Sequence, residues 1–357
     1  MSNAEVARRK TRRAVVGAAP LVLALLATGC GTAGSAPGLY LADPSGAPRW
    51  ITTAAGPPAW SPNGNTLAWG GEDGLWHWDA DGDEVGQLSD IPVAGRPAWS
   101  PDGAAIAFLD PGARLLRSLD LESGVATPLA LLYDGPDGAV RPPMVVRGGP
   151  VWSPDGSQLA FICWDGQGDE LCLVDAAGDT RQQLTDLGGA NADSSGAARS
   201  SVTSVAWSPD GRALAVTVWA EQRGAAAGIF RIDLDDRSGR RLTTMTADSP
   251  LLWDAVTDDL IFSSLADGRS DVYRLASDSG RPTAVTSFLP AGASDPALGS
   301  DQALAVVTGS RLAVLPSGDA APTFVEIEGL ALAAPDWRPG HAELAFLGTK
   351  QPIQDYP

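Results

Sequence analysis

The sequence predicts an all-β chain folded as a seven-bladed β-propeller of four-stranded antiparallel blades, and three observations carry that prediction. A five-residue motif recurs as Trp60-Ser-Pro-Asn-Gly64, Trp99-Ser-Pro-Asp-Gly103, Trp152-Ser-Pro-Asp-Gly156 and Trp207-Ser-Pro-Asp-Gly211. A short apolar strand follows each copy: Leu67-Ala-Trp69, Ile106-Ala-Phe108, Leu159-Ala-Phe161 and Leu214-Ala-Val216. The repeated region also begins and ends on complementary halves of one unit, as a closed ring requires.

Each element has a local reason. Pro fixes φ at the second position of a type I turn and Gly supplies the positive φ that follows. Ser-Pro-Asp-Gly therefore joins two antiparallel strands, the first and second of a blade. The large apolar Trp beside so tight a turn reads as packing between blades. A third strand follows, as in Glu170-Leu-Cys-Leu-Val-Asp175, Gly228-Ile-Phe-Arg-Ile-Asp233 and Asp271-Val-Tyr-Arg-Leu275. A turn then leads to a fourth strand ending at Leu184-Thr185, Leu242-Thr243 or Val285-Thr286. Three degenerate copies continue the series: Trp253 before Leu260-Ile-Phe262, Leu298 before Leu304-Ala-Val306, and Trp337-Arg-Pro-Gly340 before Leu344-Ala-Phe346. Successive copies are 39 to 55 residues apart, the length of a four-stranded blade plus variable loops.

The ends fit the same scheme. Leu39-Tyr-Leu-Ala-Asp43 and Arg49-Trp-Ile-Thr52 read as third and fourth strands without a first and second, and the last copy, from Trp337 to Phe346, lacks the other two. Joined, they make a seventh blade and remove two free sheet edges.

These motifs resemble the TolB-like, WD40-like (PD40-type) propeller repeat family, over essentially all of 39–349. The resemblance implies the propeller but leaves function open, because the repeat serves periplasmic scaffolds and peptidase-associated propellers alike. TolB itself has six blades and an extra N-terminal domain, which the present pattern lacks. The peptidases add an α/β-hydrolase domain, for which no segment here is long enough.

Residues 1–29 read as an export signal. Arg8, Arg9, Lys10, Arg12 and Arg13 form a basic head, and the apolar stretch Ala14 to Ala27 is too short to span a bilayer. Thr11-Arg12-Arg13-Ala14-Val15-Val16 resembles the twin-arginine pattern, and Leu26-Ala27-Thr28-Gly29-Cys30 resembles a lipobox. The lipobox resemblance implies cleavage before Cys30 and a diacylglyceryl group on its sulfur. Residues 30–38 then form a lipidated Cys and flexible tether, and 39–357 the propeller domain.

Composition excludes several classes. With 25 Lys+Arg against 43 Asp+Glu, a net charge of −18 argues against nucleic acid, whose phosphates need a basic face. The same acidity leaves the lipid as the expected membrane attachment. Two His and three Cys are too few for a zinc site of the usual spacing, so no metal or other cofactor is expected.

The chemistry-bearing residues have plain structural readings. No Gly-x-Ser-x-Gly elbow is present, and His77 and His341 are read as structural or solvent-facing, so no catalytic residue is assigned. Asp79-Ala-Asp-Gly-Asp83 resembles a calcium loop, but its Gly is misplaced for an EF-hand and a turn explains it better. Cys163 and Cys172 flank the loop between two strands of blade three. Counting inward pairs them across the ladder, where an oxidising compartment favours a disulfide.

Loop lengths point to one face. In a propeller the fourth-to-first-strand loops share a face with the second-to-third-strand loops. The longest, Tyr133 to Gly149, Asp186 to Thr203 and Ala220 to Gly228, all fall there. Trp164 and Trp219 stand three residues past Phe161 and Val216 in neighbouring blades and are candidate partner anchors; alternatively they pack under loops. Arg96 and Arg147 precede two first strands, with Asp248, Asp295 and Asp336 at similar places in other blades, and are expected around the channel mouth.

The function expected is that of a non-enzymatic, monomeric, lipid-anchored propeller at the outer face of the cytoplasmic membrane. It would act as a platform for an envelope protein, a small ligand or a glycan. The alternative is an envelope enzyme or carbohydrate-binding propeller of lyase or hydrolase type, with its site at the channel mouth.

Overall fold

The computed structural model describes residues 37–350 except 44–46, 54–55, 113, 132–148, 165–167, 188–199, 221–226, 267, 279 and 319. The export signal, Cys30, nearly all of the tether, Arg147 and the middles of the three long loops lie outside the described residues.

Seven four-stranded antiparallel sheets make up the fold, with no helix among the described residues. Blade one comprises Ala59–Trp60, Thr66–Gly71, Gly74–Asp79 and Glu84–Ser89. Blades two to six continue in sequence, their first strands being Ala94–Trp99, Val151–Trp152, Ser200–Trp207, Leu252–Trp253 and Ser294–Leu298. Blade seven combines Leu330–Trp337 and Leu344–Lys350 with Gly38–Ala42 and Arg49–Thr52, in register Tyr40 opposite Phe346. First strands of successive blades lie side by side all the way round, that of blade seven against that of blade one. The ring is closed as the sequence predicts.

Ring geometry explains the inner strands. Their inward edge has no ladder neighbour, so a residue without an N–H costs nothing there. Pro58, Pro97, Pro150, Pro296 and Pro335 each stand two residues before the Trp or Leu that ends the strand.

The core is divided among the blade interfaces. Seven separate clusters of buried apolar side chains fill the seven junctions, such as Leu39, Leu41, Trp60, Leu67, Trp69 and Trp78 between blades seven and one. The repeated Trp binds adjacent blades by more than area. Indole N–H groups of Trp99, Trp152, Trp207 and Trp337 donate to the carbonyls of Ala59, Ala98, Val151 and Ala297 in the preceding blade, at 3.0–3.1 Å. Trp253 departs from this pattern: its N–H bonds Asp258, 2.8 Å away, in the turn that replaces Ser-Pro-Asp-Gly in blade five.

The motif's small residues have distinct tasks. In blade three, Ser153 donates to Asp155 (2.6 Å) and accepts from the Gln158 N–H (3.0 Å), while Asp155 also accepts from the Ser157 N–H (3.0 Å). Those donors, Ser153 foremost, lower the Asp155 carboxyl to about 2. Gly156 has φ 72°, and a Cβ there would lie 3.5 Å from Pro101 of the preceding blade's turn. Turns thus stack Gly upon Pro around one mouth of the ring.

In blades three and five a Thr two residues past the fourth strand is a latch. Thr286 accepts from the Val272 N–H (2.9 Å) and donates to the buried Asp271 (3.0 Å). Thr185 holds the Leu171 N–H and the fully buried Glu170 in the same way.

Candidate functional site

Two regions concern function: the channel-side residues of the inner strands, and the face carrying the second-to-third and fourth-to-first loops. Backbone bonds join the two kinds of loop. The Val93 N–H reaches the Gly71 carbonyl (2.9 Å) and the Ala293 N–H reaches that of Ser270 (2.8 Å). They therefore share a face.

Of the expected channel residues, the structure brings two together. Arg96 Nη1 lies 2.9 Å from Asp336 Oδ1, and its Nη2 donates to the Pro335 carbonyl at 3.2 Å. Asp336 Oδ2 accepts from the Trp60 N–H at 2.8 Å. One carboxylate thus joins blades seven, one and two. Burial pushes the Asp336 carboxyl above the usual carboxylate range, against the opposing pull of Arg96 and the Trp60 N–H.

Asp248 and Asp295 are not equivalent to Asp336, as the sequence reading has them. Asp336 directly precedes Trp337, whereas Asp248 belongs to the loop entering blade five and accepts from the Leu265 N–H at 2.5 Å. Asp295 occupies a bulge of the blade-six inner strand with φ 45°. The three stand at different distances from the residue that ends the inner strand, five for Asp248 before Trp253, three for Asp295 before Leu298 and one for Asp336 before Trp337, so they do not share a position.

Cys163 and Cys172 form a disulfide with Cα atoms 5.8 Å apart. They are not directly opposite: Cys163 faces Glu170 and Cys172 faces Phe161. The loop begins one residue earlier than the inward count assumes, which moves the pair to a diagonal. Both sulfurs belong to the buried junction of blades two and three.

His77 is half-buried and faces Gly86, where a Cβ would come within 2.5 Å of its Nε2. Desolvation lowers its pKa, partly offset by Asp79. Asp79 Oδ1 accepts from the Asp81 and Gly82 N–H groups, which makes the acidic loop a turn. Among the described residues no group of three or more His, Cys, Asp or Glu is placed to hold a metal ion.

On the loop face, Trp164 is half-buried at the end of its strand and Trp219 is 44% exposed. The sequence reading missed two neighbours. Leu265 stands three residues past Phe262, the spacing that singles out Trp164 and Trp219, and is 63% exposed. Phe288, 58% exposed, sits in the loop from blade five to blade six, where no repeat marks it.

The fold and these two regions define the class: a closed seven-bladed β-propeller with a loop-bearing face. No family model and no curated protein matches the sequence. Among solved structures it is similar to the GH74 enzyme of Niastella koreensis (TM-score 0.60, 12% identity, covering 83% of this chain and 51% of that one). It is also similar to an oligogalacturonate lyase in complex with manganese (TM-score 0.58, 14% identity, 82% and 88% covered). TolB from Acinetobacter baumannii is matched at TM-score 0.49 and 19% identity, covering 83% of this chain. This chain spans 63% of that TolB structure's length. At these identities the likeness is one of fold.

Proposed function

We infer that the chain is a non-enzymatic binding platform of the cell envelope, held by a lipid on Cys30 at the outer face of the cytoplasmic membrane. One contrast supports this reading. Of the polar side chains expected at the channel mouth, Arg96 and Asp336 hold blades together, whereas the loop face offers exposed apolar side chains at Trp219, Leu265 and Phe288. Binding uses such anchors, while hydrolysis or elimination needs acid and base groups converging on one point.

The test is recovery from detergent-solubilised membranes of wild type and of the Trp164→Ala, Trp219→Ala double variant. The expected result is a stoichiometric envelope partner with the wild type and its loss with the variant. Equal recovery by both, or cleavage of an oligosaccharide by the purified propeller, would overturn the reading and favour the lyase or hydrolase type.

A further inference from the structure

On the face that carries the Ser-Pro-Asp-Gly turns, the junction between blades two and three is left unfilled. Each third strand places one side chain there, opposite the residue that follows the Leu or Ile opening the second-strand motif. In six blades that side chain is large: His77, Leu173, Arg231, Arg274, Val314 and Leu41. In blade two it is Ser118, opposite Ala107. The space left is a cleft of about 560 Å³, within the range of small-ligand sites. Trp152, Leu129 and Ala105 supply its apolar wall, and the carboxylates of Asp102, Asp120 and Asp155 line it beside Ser118 and its ladder partner Thr127.

Blade four shows what such a junction holds. There Arg231 takes the place of Ser118. Its Nε lies 3.0 Å from Asp233, which corresponds to Asp120, and its Cζ lies 5.5 Å from the ring centroid of Trp253, which corresponds to Trp152. The Arg231 side chain is only 23% exposed. Asp210, which corresponds to Asp102, is held below the ordinary carboxylate range by the Ser208 hydroxyl first and then the Arg212 N–H, with the charges of Arg212 and Arg231 adding to the effect. A second guanidinium, that of Arg338, lies 5.1 Å from the Trp60 ring centroid where blades seven and one meet. The cleft keeps these acceptors, but no Lys, Arg or His is among the described residues that line it. Where blade five has Val256, blade three adds a further carboxylate, Asp155.

The three carboxylates keep one oxygen each for an outside donor. Asp102 accepts from Ser100 (2.6 Å) and the Ala104 N–H (3.0 Å), Asp120 from Ser123 (2.6 Å), and Asp155 from Ser153 (2.6 Å) and Ser157 (2.8 Å), in every case on Oδ1. No donor among the described residues reaches their Oδ2 atoms. The Ser100, Ser123 and Ser153 hydroxyls foremost hold the three carboxyls below their ordinary range, so all are charged at neutral pH. A guanidinium presents a planar fork of donors to such oxygens, and its flat, weakly hydrated faces suit a partly apolar slot better than an ammonium does.

We propose that the cleft between blades two and three binds a guanidinium group from outside the chain, held by Asp102, Asp120 and Asp155 against Trp152 as Arg231 is held in blade four. The group is an arginine side chain of a partner polypeptide or a free guanidino compound. The site lies on the face opposite Trp219, Leu265 and Phe288 and is independent of the platform reading.

Isothermal titration of the full propeller with arginine amide, lysine amide, agmatine and a glycine-flanked arginine tripeptide tests this. Arginine amide should bind about tenfold more tightly than lysine amide. Asp120→Asn, which keeps the acceptor for Ser123, should weaken arginine amide by about tenfold. Ser118→Arg should fill the cleft as Arg231 fills its own junction, abolishing binding while melting no lower than wild type. Should that variant misfold, Asp155→Asn reads the same loss. Tighter binding of the tripeptide than of agmatine points to a partner's side chain and the reverse to a free compound; either supports the site. Equal affinity for the two amides, affinity unchanged in Asp120→Asn, or no binding of any probe would overturn the proposal. So would calcium that displaces arginine amide and itself depends on Asp120, which would make the cleft a metal site.

Discussion

The Arg96 guanidinium lies 2.9 Å from the Asp336 carboxylate although blade one stands between their two blades. The reach is possible because blade one's inner strand is only the dipeptide Ala59–Trp60, and Asp336 holds the Trp60 N–H as well. The junction where the chain's two ends meet is thereby fastened from the channel side. From the outside, Arg49 of blade seven bonds Asp83 at 3.0 Å and lies over the Trp78 ring of blade one.

Arg96→Ala should cost about 1–3 kcal/mol at pH 7, because it leaves a mostly enclosed carboxylate without its cation. The sign of the pH dependence follows from the raised Asp336 pKa. A carboxyl raised in the folded state contributes stability present below its unfolded pKa and lost as pH rises through the folded value. Removing Arg96 raises that value further, so the cost should shrink as the medium is acidified. Urea melts of wild type and Arg96→Ala at pH 4.5 and 7.5 check this; a cost that grows in acid would contradict it.

Two Trp→Phe substitutions should behave differently. Trp152→Phe removes the indole bond to the Ala98 carbonyl, a loss of about 1 kcal/mol beyond the change in packing. The Trp60 indole N–H is buried and unpaired among the described residues, so Trp60→Phe should cost only the packing. Equal melting-temperature losses would show that the indole bonds between blades contribute nothing measurable.

The Asp of the turn motif sets an acid limit. With Asp155 lowered to about 2 from its ordinary 3.8, its bonds stabilise the fold above the unfolded value and are lost as pH falls between the two. The group is exposed, so screening keeps the effect small. Asp155→Asn should retain the acceptor and flatten the acid limb of the stability curve, since Asn63 accepts from Ser61 (2.7 Å) and the Asn65 N–H (3.0 Å) in blade one. Acid titration of the melting temperature reads this directly.

Much of the fold was legible in the repeat. The Trp-Ser-Pro-Asp-Gly turns fix where each first strand ends, and Leu39 to Thr52 shows that the ring closes through its ends. The misses share a cause. The ion pair between Arg96 and Asp336 spans 240 residues and exists only because the ring closes, so no local spacing reveals it. The Cys163 register depends on where one hairpin begins. The inner-strand bulges around Asp295 and Ala334, both at positive φ, shift side chains by amounts the motif does not encode. Leu265 was within reach, since its distance from Phe262 repeats that of Trp164 from Phe161.

Deleting residues 39–53 should abolish the cooperative melt. Leu39, Tyr40 and Leu41 are each no more than 2% exposed. At about 2 kcal/mol apiece their loss approaches the whole stability of a typical domain, about 5–15 kcal/mol. Circular dichroism and gel filtration of the truncated chain decide the matter. A monomer melting like the full propeller would mean that the ring closes without these strands.

The binding reading is tested most directly by photo-crosslinking in intact cells, with a benzophenone side chain placed at position 219 and, as a control, at 324 on an outer strand of blade six. The account predicts a discrete high-mass adduct from position 219, lost when Leu265 and Phe288 are changed to Ser, and none from position 324. An adduct from 324 with none from 219 would contradict it.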